Sequence, residues 1–127
     1  MTSGTPSETL PPPALPVVTC TAPNVMDEDC RKLKEEEVRR GIANEDAQLG
    51  RRSLEIMATY SAAVAASNGD AALIAAAETA RNNALGESSE EHRTHVGALM
   101  GNYREAAEGC CKPPTPPPAG GSGSGGD

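Results

Sequence analysis

An all-α chain, folded as one long antiparallel helical hairpin with an extended arm at each end, follows from three features of these 127 residues. Apolar and small side chains recur at alternating steps of three and four, the spacing of one helix face. An Asn68-Gly69 break interrupts the pattern near its middle. All 11 prolines lie outside the helical stretch, at residues 6–23 and 113–118, where the missing backbone N–H costs nothing. The expected divisions are a Pro-rich extended arm at 1–23, a disulfide-clamped hairpin at 24–112, and a Pro/Gly/Ser-rich tail at 113–127.

The arms carry no apolar periodicity and almost no charge. Pro11-Pro12-Pro13 and Pro116-Pro117-Pro118 favour polyproline geometry, and the glycines from Gly120 to Gly126 give flexible coil. Such segments cannot offset their ordering entropy, so neither arm is expected to join a core.

The first helix is expected from about Val25 to Ser67. Asn24 is placed to cap it, and Asp27, Glu28 and Asp29 suit the positive end of its dipole. Glu35 with Arg39 and Glu36 with Arg40 are i,i+4 pairs in the favourable order. Ala47, Gly50, Leu54, Met57, Ser61 and Val64 form one stripe, which the hairpin interior would use. Gly41 and Gly50 weaken this helix by about 1 kcal/mol each relative to Ala.

Asn68 and Gly69 both tolerate the left-handed conformation that ends a helix, and Asp70 can cap the next one. The second helix carries Leu73, Ala77, Ala80 and Ala84, then Val96, Leu99, Tyr103, Ala106 and Cys110. Gly109 and Pro113-Pro114 end it. Between the two runs, Gly86 to Glu91 holds no apolar residue, and Ser88 with Glu91 has the capping-box pattern. A kink or restart near Ser88 would divide the hairpin into three or four shorter helices, the main alternative architecture.

The core material is poor. Trp and Phe are absent, and Tyr60 and Tyr103 are the aromatic residues. A monomeric core of Ala with scattered Leu, Ile, Val and Met needs cross-links, a partner or self-association.

The four cysteines address that need. Taking the hairpin axis through Asn68-Gly69, Cys30 stands 38 residues before the turn and Cys110 stands 41 after it. The three-residue offset is about 4.5 Å of helix, less than one turn. Cys30 with Cys110 and Cys20 with Cys111 is the favoured pairing, the crossed version is next, and a strained Cys110–Cys111 bond is last. Paired zinc ligands at short spacing are not found among these cysteines. The nine-residue gap between Cys20 and Cys30 has no counterpart on the second helix, as a twin C-x9-C hairpin requires.

Charge and motif bound the function. A net charge of −7 argues against nucleic acid, since phosphate binding needs a basic face. No run is long enough for a membrane span, and the first residues show neither the basic nor the apolar region of a signal peptide. No phosphate loop or nucleophile elbow is present, and exposed carboxylates on a charged helix are not catalytic acids. The expectation is therefore no enzyme and no cofactor. His92 and His95, three apart on one face, are weak metal candidates, and Gly97-x-x-x-Gly101 permits close helix contact. Around the turn, small apolar residues go most of the way round both helices, so Ala62, Ala66, Ala72 and Ile74 are candidates for a protein interface.

These features lead to a non-enzymatic structural or interaction protein. The expected setting is an extracellular or particle-type assembly, such as a bacteriophage virion, with protein partners or self-association. A secreted soluble helical binder or inhibitor is the alternative. Disulfides imply an oxidising environment, extracellular or virion.

Overall fold

The computed structural model describes residues 13–115. The expected extended geometry of residues 1–12, the polyproline block Pro116-Pro117-Pro118 and the coil from Gly120 to Gly126 lie outside the described residues. The element order is a two-residue strand β1 (Val25–Met26), helix α1 (Glu28–Ala66), helix α2 (Ala71–Glu108) and a two-residue strand β2 (Cys111–Lys112). The helices have 39 and 38 residues, each about 57 Å long at 1.5 Å per residue. They pack side by side as an antiparallel hairpin.

The turn is built as its residues dictate. Asn68 and Gly69 take positive φ, 51° and 81°. The Ser67 hydroxyl donates to the Val64 carbonyl at 2.6 Å, and the Gly69 N–H donates to Ser67 Oγ at 3.3 Å. Asp70 caps α2, its carboxylate accepting from the N–H groups of Ala72 and Leu73 at 2.9 and 3.1 Å. Four residues thus satisfy both helix ends at the tip.

At the open end the first turn starts later than expected. Asp27, not Asn24, caps α1, its side chain accepting from the Cys30 N–H at 3.3 Å. Val25 and Met26 instead pair antiparallel with Lys112 and Cys111. The backbone there is drawn into a ladder by the neighbouring disulfides, and a ladder residue cannot also be helical.

The core is small and lies at the disulfide end. Val38, Ile42, Tyr103 and Ala107 are buried together, with Val96, Leu99 and Met100 packed around them. Leu15 and Val18 from the N-terminal segment join this cluster, and Arg39 Nη1 donates to the Pro13 carbonyl at 2.9 Å. The expectation that the N-terminal arm adds nothing to a core fails for Leu15 and Val18. Two spaced apolar side chains suffice when the groove between two helices receives them.

Two further expectations are corrected. Helix α2 is continuous through Ser88, because that residue faces α1 and is buried at 5% exposure rather than capping a new helix. The stripe Ala47, Gly50, Leu54, Met57 and Ser61 is exposed, with Leu54 at 73%; of that set Val64 alone is half-buried. Helix α1 instead turns Glu45, Leu49, Arg52, Ile56 and Tyr60 inward. On α2, Ala77 is buried and Ala84 half-buried as expected, but Leu73 is exposed and Ile74 takes the inward position.

Candidate interaction surfaces

Three zones along the hairpin differ in chemistry. The first is the clamp. Cys20 is bonded to Cys111 and Cys30 to Cys110, with Cα–Cα distances of 5.6 and 5.7 Å. The sequence separations are 91 and 80 residues. This is the pairing that the turn-centred count favours. Asp27 anchors the same end: its carboxylate receives the Cys30 N–H and the Lys112 ammonium, the latter at 3.1 Å. Those two donors, the backbone one first, hold its pKa below the ordinary carboxylate value. Arg31 donates to Glu28 at 2.7 Å, to the Tyr103 hydroxyl at 3.4 Å and to Glu35 at 3.0 Å. Together these acceptors raise its pKa further above the ordinary guanidinium value.

The second zone, mid-hairpin, is polar across the interface. Arg52 donates through Nε to Ser88 Oγ at 2.9 Å and through Nη2 to the Ser88 carbonyl at 3.4 Å. His92 Nε2 lies 2.7 Å from Asp46 Oδ1, and His95 Nδ1 lies 3.0 Å from Glu45 Oε1. The two histidines therefore bridge α2 to α1, each with one carboxylate. Among the described residues no three metal-ligating side chains converge. Gly97 and Gly101 have open space where a Cβ would stand, so that glycine pair does not mediate helix contact. Gly41 does: a Cβ there would meet Leu99 Cδ2 at 3.1 Å.

The third zone is the tip half. Ala62, Ala66 and Ala72 are exposed and Ile74 is half-buried. Beside them an open groove of about 380 Å³ runs between the helices, lined chiefly by Ile56, Tyr60, Ala63, Ala77, Ala80 and Ala84. The Arg81 guanidinium sits over the Tyr60 ring, 4.5 Å from its centre, and closes one side. The groove exists because alanine is too short to fill the space between two helix axes.

Sequence reasoning missed the Arg52–Ser88 and Glu45–His95 pairs, although a signal for both was present. The three-residue offset that relates Cys30 to Cys110 about the turn also relates Arg52 to Ser88 and Glu45 to His95. The packing of Leu15 and Val18 had no comparable signal, because a segment without periodicity gives no register.

Among the described residues no helix is long and apolar enough to cross a membrane. The two disulfides are compatible with an oxidising extracellular environment. No family model, curated protein or solved structure matches the chain.

Proposed function

We propose that this protein is a non-enzymatic structural component of an extracellular or particle-type assembly, with a bacteriophage virion as the setting we favour. The observation that supports the reading is the asymmetry of burial. The clamped end holds the whole cluster of Val38, Ile42, Tyr103 and Ala107, whereas around the turn Ala77 alone of the apolar residues is buried and Ala62, Ala66 and Ala72 are exposed. A rigid rod clamped at one end and apolar at the other is suited to project a docking surface toward another subunit. Ala62, Ala66 and Ala72 carry that contact, with Ile74 beneath them, and small side chains make it close and intolerant of bulk.

Charge at the tip tests this. Ala66→Glu and Ala72→Glu should leave circular dichroism and thermal stability nearly unchanged, since both positions are exposed and Glu is a good helix former. Assembly should weaken by about 1–3 kcal/mol, the cost of burying a charge without a partner. If both variants assemble like the parent, the tip is only an alanine-rich helix end.

The groove lined by Ile56 and Tyr60 favours a second reading, a secreted binder or inhibitor that accepts one partner segment. Size-exclusion chromatography with light scattering separates the two. An assembly component associates in many copies, and a binder forms a complex of fixed, small stoichiometry.

A further inference from the structure

The outer face of α1 carries an apolar stripe that the described chain leaves exposed from Ala47 to Ser61 and half-covers at Val64. Ala47, Gly50, Leu54, Met57, Ser61 and Val64 alternate steps of three and four, which is the a and d pattern of a coiled-coil seam. Leu54 is 73% exposed and Met57 40%. Helix α2 packs on the other side, against Leu49, Arg52 and Ile56. One heptad earlier than Ala47 stands Arg40, and the turn at Asn68 follows Val64, so the seam is bounded at both ends.

The flanking positions say what fits there. With Ala47 and Leu54 at a, the e positions are Arg51, Ala58 and Ala65, and the g positions are Asp46, Ser53 and Tyr60. The charged flanking residues are thus one acid and one base, five residues apart. In a parallel, in-register pair, a g residue faces the e residue five positions later on the other helix. Asp46 of each copy then meets Arg51 of the other, giving two equivalent ion pairs beside the seam. An antiparallel pair sets e against e and g against g, which leaves Arg51 beside alanine. Arg51 has no ionic partner within the chain among the described residues, and the Asp46 side chain is 61% exposed despite its bond to His92.

We infer that this stripe is the interface of a parallel homodimer, in which α1 of one copy packs in register along α1 of a second copy. The seam holds Leu54 and Met57 at its centre, with Gly50 and Ser61 allowing close approach on either side. The two clamped ends lie together, and Arg40 facing its own copy confines the contact to the tip-side part of α1. The inference goes beyond the proposed tip contact and does not depend on it, because Ala66 lies at an f position outside the seam.

Sedimentation equilibrium of the full oxidised chain tests it, from about 5 µM to about 300 µM. The mass should rise with concentration toward twice the 13.0 kDa of one chain. Leu54→Glu should remain monomeric throughout while melting like the parent, since its side chain is exposed. Arg51→Asp should weaken the dimer at least about tenfold. Combining it with Asp46→Arg should restore affinity to within about threefold of the parent, because the swapped charges again attract. Ala66→Glu should dimerise normally, whatever it does to docking of another subunit. A parent that stays monomeric at the highest concentration overturns the inference. So does a dimer that survives Leu54→Glu, one lost on Ala66→Glu, or a charge swap that binds no better than Arg51→Asp alone.

Discussion

The disulfides are nested, and nesting makes their contributions unequal to the sum of two independent bonds. The loop from Cys30 to Cys110 lies wholly inside the loop from Cys20 to Cys111. In an otherwise open chain the inner bond joins residues 80 apart, which loop-closure entropy values at about 4.5 kcal/mol. Once either bond is made, the other closes a ring containing only residues 20–30 and 110–111, on the order of 13 residues. The same relation then gives about 3 kcal/mol. Removing one bond, by Cys20→Ala with Cys111→Ala, should therefore cost about 3 kcal/mol, and removing both about 7.5 kcal/mol, more than the two single losses combined. Urea unfolding followed by circular dichroism at 222 nm (about the helix minimum) reads these differences. The variant lacking Cys20 and Cys111 is the cleaner test, because Cys110 is buried at 3% exposure and its replacement also removes packing. Since domains are stable by only about 5–15 kcal/mol, the variant without both bonds should be partly unfolded before urea is added. Single losses of about 4.5 kcal/mol each that add to the full loss would refute the nested-loop reasoning. Losses below about 0.5 kcal/mol would show that the clamp does not stabilise the hairpin.

Other outcomes follow from the same geometry. Ser88→Ala leaves the Arg52 guanidinium without its Oγ acceptor and should cost about 1–2 kcal/mol; a double-mutant cycle with Arg52→Ala should recover most of that as coupling. Gly86→Ala should raise the urea midpoint by about 1 kcal/mol of stability, since nothing lies within 4 Å of the added carbon; destabilisation would mean that α2 is not straight there. The depressed pKa of Asp27 sets a sign: the ionised cap stabilises the fold above the ordinary carboxylate pKa, and that contribution fades as pH falls through the lower folded value. Stability measured from about pH 5 down to about pH 2 should decline, and Asp27→Asn should flatten part of the slope.

The residues that do one local job were legible in the sequence. Asn68, Gly69 and Asp70 made the turn, and the count about that turn brought Cys30 to Cys110. The register of the rest was not legible, because the regular stripe of α1 from Ala47 to Ser61 belongs to its outer face. The side chains that α1 turns inward at Glu45, Arg52 and Tyr60 are charged or hydroxylated, and periodicity arguments assign such residues to solvent. Their partners His95, Ser88 and Arg81 carried the same disguise on α2. The reading of Ser88 as a helix cap shows the ambiguity: its hydroxyl accepts a bond in either role, and only the register of the opposite helix decides which donor is near.

That polar middle also explains how an alanine-rich hairpin holds one register. Small side chains at regular spacing interlock almost as well after a slide of one heptad, so alanine alone specifies the fold weakly. Here the slide would separate Arg52 from Ser88 and both histidines from their carboxylates, leaving Ser88 buried with no donor. The clamp imposes the same register from the far end, because Cys30 meets Cys110 at only one alignment. Register is therefore set by directional bonds together with the Val38–Ile42 cluster, and the remaining apolar stripe of α1 is released from the task of packing against α2. Leu54 and Met57 can then face outward without loss to the hairpin, which is the condition for a second helix to use them.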